Sequence, residues 1–495
     1  MPQEPSHDRL YDLLIIGGGI NGAGVARDAA GRGLKVALIE AEDLGSATSS
    51  ASTKLVHGGL RYLEFYAFGL VRKALAEREV ILRNAPHISW PLPILLPHDR
   101  HVRPAWMLRL ALFLYDHLAR RKEVPGSAFV HLRNDAAGPA FAPHLSDAFR
   151  FWDGWVDDAR LVVLNARDAA ERGATIITRD PVTAARRTEI GWTVETASGR
   201  ALCARQLLNC AGPWAERVAR DIMGVKDAPR LSLVQGAHII TRRVNRTRDA
   251  WMLQQPDGRI VFVIPYEKDF SLIGTTETKV DDPEAHTITA GEEAYLLEAV
   301  NRSLARPLSA SDIVHRFAGV RPLVLEEGKG ARETTRDWKL VTHAGQSAMT
   351  VVGGKITTYR LLAEAVLKRL FPKTSRWTAE APLPGGAIPA GEGNAEARYA
   401  RWLAQLKSRN PLYDPRIIER MARLYGTDTQ QLLDGGLGEN FGGLFEAELI
   451  HMRDREFART AQDALWRRSK AGLMMPDEAK QRVAAFFADE ADVRA

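Results

Sequence analysis

Residues 11–40 constrain this chain more than any other stretch. A short apolar strand, Tyr11–Ile16, runs into GGGING and then into a helix over Val25–Arg32 that Gly33 stops. A second apolar strand, Leu34–Glu40, follows at once. Gly17, Gly19 and Gly22 satisfy GxGxxG in the strand–turn–helix setting that gives the pattern its meaning. Glycine allows the tight turn and the close approach of backbone to a pyrophosphate, and the helix N-terminus offers that anion partial positive charge. Ala23, Ala26 and Ala30 recur at helical spacing and are small enough to bring helix and sheet together. Glu40, at the end of the second strand, can accept hydrogen bonds from both ribose hydroxyls and would repel a 2′-phosphate. The unit therefore reads as a dinucleotide site.

Composition narrows what surrounds it. A chain of 495 residues has room for roughly two to four domains. The 45% hydrophobic content excludes a disordered chain. Cys203 and Cys210 are too few and wrongly spaced for a disulfide framework or a CxxC metal site, so a reducing compartment and no metal are expected. The polar start MPQEPSHDRL does not read as a secretory signal. No apolar run reaches the length of about 18 residues that a spanning helix needs. The surplus of six positive charges is scattered, which argues against nucleic acid while permitting attraction to phosphorylated substrates or an acidic lipid surface.

Further along, a helix is expected near 69–84, followed by the proline-punctuated segment WPLPILLP and the apolar, basic stretch HVRPAWMLRLALFLYDHLARRK (101–122). That last stretch sets Trp106, Phe113 and Tyr115 among Arg103, Arg109, Arg120, Arg121 and Lys122, with Asp116 its one acid. This is the mix of a helix lying in a membrane interface, or of a core helix with snorkelling arginines. Asp157–Arg172 reads as a helix, Ala174–Thr178 as a strand, and 182–187, 192–196 and 202–210 as a small antiparallel meander. Leu231–Thr241, Arg259–Tyr266 and Phe270–Glu277 are expected strands, the last two a hairpin through Glu267–Asp269. Ala348–Val352 is a buried strand opening into GGKITTYR. APLPGGAIPAGEGN (381–394) reads as a linker, and the Arg-rich remainder as helical. No second GxGxxG lies in a strand–helix setting. A single site fits FAD reduced directly by an organic substrate, or a simple NAD dehydrogenase.

The segment ATSSASTKLVHGGLRYLE (47–64), together with GGGINGAG, resembles the FAD-dependent glycerol-3-phosphate dehydrogenases of aerobic respiration. The likeness continues in the same order through WVDDARLV, NCAGPWA, QGAHI, VFVIPY, IGTTE, GVRPL, TRDW, GGKITTYR, LPGGAI and DALWRRSK, and so covers nearly the whole chain. It implies an α/β fold: a Rossmann-like FAD-binding domain of glutathione-reductase type in three segments (1–80, 151–230 and 316–380). A helical membrane-interface insertion (81–150), an antiparallel-sheet substrate domain (231–315), the linker (381–394) and an α-helical C-terminal domain (395–495) complete it.

The resemblance further implies flavin contacts at Gly17, Gly19, Gly22, Glu40, Ser49, Ser50, Ser52, Gly59, Ala211, Gly212, Gly354, Lys355 and Thr357. It implies a phosphate and polyol site made by Arg61, Tyr62, Arg321, Arg336 and Lys355, the guanidinium fork being suited to a phosphate dianion. His238 is implied as the base for the hydroxyl proton, with Arg321 stabilising the developing alkoxide. The implied reaction is oxidation of glycerol 3-phosphate to dihydroxyacetone phosphate, with electrons passed to membrane quinone. The expected setting is peripheral, on the cytoplasmic face of an anionic inner-membrane surface, and a homodimer is left open. A dioxygen-using glycerol-3-phosphate oxidase and a non-respiratory flavoprotein binding a nucleic acid or protein partner are the alternatives.

Overall fold

The computed structural model describes residues 10–98, 104–284, 286–324, 337–343, 345 and 347–492. Its first layer is an eight-stranded sheet. The order is Lys339–His343, Ala348–Val352, Ala201–Asn209, Leu10–Ile16, Val36–Ile39 and Thr175–Ile177, with the hairpin Val182–Arg187/Trp192–Thr196 joined to Ala201–Asn209. The middle strands run parallel and carry continuous apolar stretches such as Leu13–Ile16 and Val36–Ile39, because both faces are covered. Leu13, Ile15, Val36 and Leu38 pack with the helices, and Leu14, Ile16, Ala37 and Ile39 with Val182, Ala185, Trp192 and Val194 of the hairpin and with Val218 and Met223. Ile20–Gly31 packs against Asp158–Glu171 and Tyr359–Leu370. Gly24 allows the second contact, since a Cβ there would lie 2.6 Å from the Tyr359 ring. The helix expected at 157–172 begins where its first residue can cap it: the Asp157 carboxylate accepts from Arg160 N.

The second sheet has ten strands, mostly antiparallel, and is centred on Leu231–Arg242, which pairs with Ile313–Val324 on one side and Phe270–Gly274 on the other. The hairpin through Glu267–Asp269 pairs Tyr266 with Phe270. Residues 81–150, expected to be helical, require a correction. Beyond the end of the helix Phe68–Asn84 they contain only one α-helix, Ala105–His117, among the described residues, and they supply strands Ser89–Pro97, Ala128–His131 and the start of Asp147–Val156 to this sheet. The prolines hid the first of these. Pro91, Pro93 and Pro97 alternate, so every missing N–H points toward the same edge and the other edge keeps its ladder. Ile313–Val324 likewise belongs wholly to the second sheet, although the third FAD segment was expected to begin at 316.

Residues 381–394 hold no regular element, yet they lie against the helices beside the first sheet: Arg27 donates to the carbonyls of Ala381 and Pro382, and Leu383 N to Asn84 O. The helices that follow (Ala395–Arg409, Pro415–Tyr425, Thr429–Asp434, Glu446–Glu456 and Asp477–Asp492) enclose their own core around Met421, Leu449 and Met452. Buried ion pairs tie this unit to the first. Arg160 meets Glu456 at 2.5 Å with both side chains fully buried, Arg467 and Arg468 converge on Asp43, and Lys470 reaches Asp157. Burial alone would raise the Glu456 pKa, but the Arg160 guanidinium overrides it and holds the carboxyl well below its usual range. Losing one member of such a pair costs about 3–5 kcal/mol, so the C-terminal unit is fixed in place.

Candidate active site

Four motifs from distant parts of the sequence meet because their strands are parallel neighbours. Ile16 pairs with Ile39 and Asn209, and Asn209 with Thr350. The turns GGGING, Glu40, CAGPW and GGK therefore leave the sheet along one carboxyl edge, the place where open α/β sheets bind ligands. There they line a cavity of about 1580 Å³. The phosphate-binding turn is tightly built. Gly17 has φ +108° and faces Cys210 O, while a Cβ on Gly22 would fall 1.9 Å from Gly17 O. The Glu40 carboxylate accepts from the backbone N–H of Gly18 and Glu42 and still has lone pairs for two ribose hydroxyls. Burial raises its pKa against the opposing effect of those two hydrogen bonds.

The Ser/Thr loop closes the next wall. Ser49 Oγ accepts from Ile20 N at the start of the glycine-rich helix, and Ser50 Oγ donates to Ala47 O. Ser52 is held by Asp158, which accepts from both its N–H and its hydroxyl. Gly59, at φ +77°, starts the turn Leu60–Phe65 that carries Arg61 and Tyr62. Ala211 and Gly212 line the cavity after Asn209, Asn209 Oδ1 accepting from Ala211 N. On the far side Gly353 and Gly354 both have positive φ, Lys355 Nζ lies 3.8 Å from the centre of the Tyr62 ring, and Thr357 Oγ1 accepts from His57 N. Such a donor set, with a cradle that any Cβ would fill, fits FAD. When bound, FAD supplies the two-electron redox chemistry.

The second sheet supplies the opposite wall. Residues 317, 319 and 321 share one face by the two-residue period of a strand, and that face meets the Ser/Thr loop. Gly319 makes the approach possible, because a Cβ there would be 2.6 Å from the Ala51 Cβ. Arg321 reaches across Gly236, with Nη2 3.3 Å from Thr275 Oγ1. Arg61, Tyr62, Arg321 and Lys355 thus surround one cavity. Arg336 lies outside the described residues.

His238 sits in register with Phe317 and Gly274, fully buried, its ring stacked on Phe317 at 4.9 Å. Its Nε2 lies 3.0 Å from Thr53 Oγ1. Burial, then the charges of Arg321 and Lys54, depress its pKa well below the usual range, so the imidazole is neutral.

Some lining residues had no readable signal. Thr53 and Thr275 are ordinary hydroxyls in sequence, and Gln462, Trp466, Arg467 and Lys470 come from the C-terminal unit. Trp466 stacks on His315 at 4.3 Å. DALWRRSK stood out as a pattern, but only the interdomain packing brings it to the cavity.

A model of the family described as "FAD dependent oxidoreductase" matches residues 12–360. The D-erythritol 1-phosphate dehydrogenase of Brucella abortus is 46% identical, covering 96% of this chain and 97% of its own. The aerobic glycerol-3-phosphate dehydrogenase of Escherichia coli is 44% identical, covering 97% of each. Among solved structures, the glycerol-3-phosphate dehydrogenase of Bacillus halodurans complexed with FAD aligns with a TM-score of 0.75 at 25% identity, over 98% of this chain and 95% of that one.

Proposed function

The chain belongs to the FAD-dependent oxidoreductase family, and on that premise we propose that it oxidises sn-glycerol 3-phosphate to dihydroxyacetone phosphate and passes the electrons to a membrane quinone. The observation that carries this reading is the single cavity in which the dinucleotide turn faces Arg61, Arg321 and Lys355. Those cations hold the phosphate dianion and so present the C2–H bond to the flavin, which is catalysis by orientation. His238 takes the hydroxyl proton and Arg321 stabilises the developing alkoxide. Near-equal identity to a D-erythritol 1-phosphate dehydrogenase supports a second reading, in which a polyol phosphate one CHOH unit longer occupies the same site.

Anaerobic stopped-flow bleaching of the flavin tests both. Glycerol 3-phosphate should bleach it with a kcat/KM at least about 100-fold above that for D-erythritol 1-phosphate, equivalent to about 2.7 kcal/mol. The reverse preference would transfer the assignment to the longer substrate, and persistence of the yellow colour with both would end the dehydrogenase reading. Reoxidation faster by a quinone analogue than by air separates dehydrogenase from oxidase.

The surface beside the cavity mouth supports peripheral attachment to the cytoplasmic face of an anionic membrane. Among the described residues no helix is long and apolar enough to span one. The helix Ala105–His117 buries Leu108, Leu112 and Tyr115 and turns outward Trp106 (66% exposed), Leu110 and Phe113 (58% exposed). It packs beside the turn Leu60–Phe65, where Phe65 and Tyr66 are exposed and Phe65 also lines the cavity. Arg109 covers Phe129, and Arg120, Arg121 and Lys122 follow the helix end. Arg103 lies outside the described residues. An apolar face of this size rimmed by cations suits an acidic lipid surface and a lipid-soluble acceptor. Replacing Trp106 and Phe113 together by Ser should release the protein from anionic vesicles while reduction of a soluble dye persists. Vesicle binding equal to that of the parent would rule the surface out.

A further inference from the structure

His238 takes no part in the cavity wall. Phe317 stacks on one face of its ring, and Gly274 lies directly beneath it, where a Cβ would come within 2.1 Å of the imidazole. Nδ1 is buried with no hydrogen-bond partner among the described residues. The polar outlet of the ring is Nε2, and the group on it is the hydroxyl of Thr53, which does line the cavity.

Thr53 is itself held firmly. Asp158, fully buried, binds the hydroxyl and N–H of Ser52 on one side and the ammonium of Lys54 on the other, at 2.7 to 3.1 Å. Lys54 is in the left-handed region at φ 58°, and its Nζ also donates to Ser50 O. One carboxylate thus clamps both neighbours of Thr53, whose hydroxyl meets His238 and which lines the same cavity as Arg321. The relay uses the tautomer of the neutral imidazole in which Thr53 Oγ1–H donates to Nε2 and the ring proton sits on Nδ1.

Resting on the reading of His238 as the base, we propose that Thr53 is a catalytic residue, the relay through which the substrate hydroxyl proton reaches His238. The balance is as follows. The C2–H hydrogen leaves with its electron pair for the flavin, the oxidant of the proposed reaction, and C2–O becomes a carbonyl. The hydroxyl proton passes to Thr53 Oγ1 while the proton already on Oγ1 moves to His238 Nε2, leaving an imidazolium. Two protons move for one C–H bond broken.

The test compares Thr53→Val, which keeps the shape and removes the hydroxyl, with Thr53→Ser, His238→Gln and the Thr53→Val/His238→Gln pair. Anaerobic flavin reduction is followed in H2O–D2O mixtures, and dihydroxyacetone phosphate binding is measured by the perturbation of flavin absorbance. Thr53→Val and His238→Gln should each slow reduction by about 100- to 1000-fold, with the pair no slower than either alone, because both interrupt one path. Thr53→Ser should retain most of the rate, and product affinity in Thr53→Val should stay within about twofold of the parent. The unmodified enzyme should give a curved, two-proton dependence on deuterium content, a readout that needs no variant. A fast Thr53→Val beside a slow His238→Gln would overturn the relay and leave His238 as base. A fast His238→Gln would remove the base assignment and the relay with it. Equal slowing in Thr53→Ser with weakened product binding, or a linear one-proton dependence, would reduce Thr53 to packing.

Discussion

Arg321→Met should lower kcat/KM for glycerol 3-phosphate by about 10²- to 10³-fold, about 3–4 kcal/mol of transition-state stabilisation. The reason is positional. Arg321 lies on the face of Ile313–Val324 that carries Phe317 and Gly319, and it crosses Gly236, where any side chain would meet its guanidinium: a Cβ there would be 2.8 Å from Nη2. Its charge therefore enters the cavity from the side opposite the dinucleotide turn. A phosphate that loses this anchor binds less tightly and presents C2 less accurately, so KM rises and kcat falls together. Arg321→Lys keeps the charge without the two-pronged donor and should fall between. Unchanged kinetics in Arg321→Met would take the residue out of the site; flavin content, which does not depend on it, should match the parent.

Gly22→Val should yield colourless protein. A Cβ at this position would lie 1.9 Å from Gly17 O and 3.4 Å from the Ile15 side chain, so the glycine-rich turn must move off the first strand. The pyrophosphate loses the backbone N–H groups arranged for it, and FAD affinity should weaken by about 100-fold or more, at least about 2.7 kcal/mol. Since a ligand stabilises the fold it binds by mass action, the rise in Tm that FAD gives the parent should vanish in the variant at the same FAD concentration. Gly33→Ala is the control. That glycine also has positive φ, but no atom lies within 4 Å of its would-be Cβ, so strain there should cost stability without bleaching the protein. A yellow Gly22→Val with the parent's FAD content would mean that the turn does not hold the cofactor.

Elements whose determinants are local were legible in the sequence. The strand–GxGxxG–helix–strand unit, the helix capped by Asp157 and the hairpin through Glu267–Asp269 each depend on residues close together in the chain. The proline-bearing strand Ser89–Pro97 was not legible, because its stability comes from a partner more than 50 residues away in Asp147–Val156. Of the site, the residues set by turn chemistry and charge stood out. Thr53 did not, because a threonine acquires meaning only from what its hydroxyl touches, here a histidine 185 positions on.

The sequence alone determined that a dinucleotide turn exists, that one such turn is present, and which arginines merited attention. Those conclusions rest on backbone permissiveness, helix-end charge and residue type, which are properties of short segments. The tertiary structure decided that four strand ends share one edge, that a second sheet brings Arg321 to face them, that His238 is sealed behind Thr53 and Phe317, and that the C-terminal unit contributes Trp466 and Lys470 to the same cavity. Register, burial and interdomain ion pairs are relations between segments tens to hundreds of residues apart, and they acquire definite values only when the chain is packed.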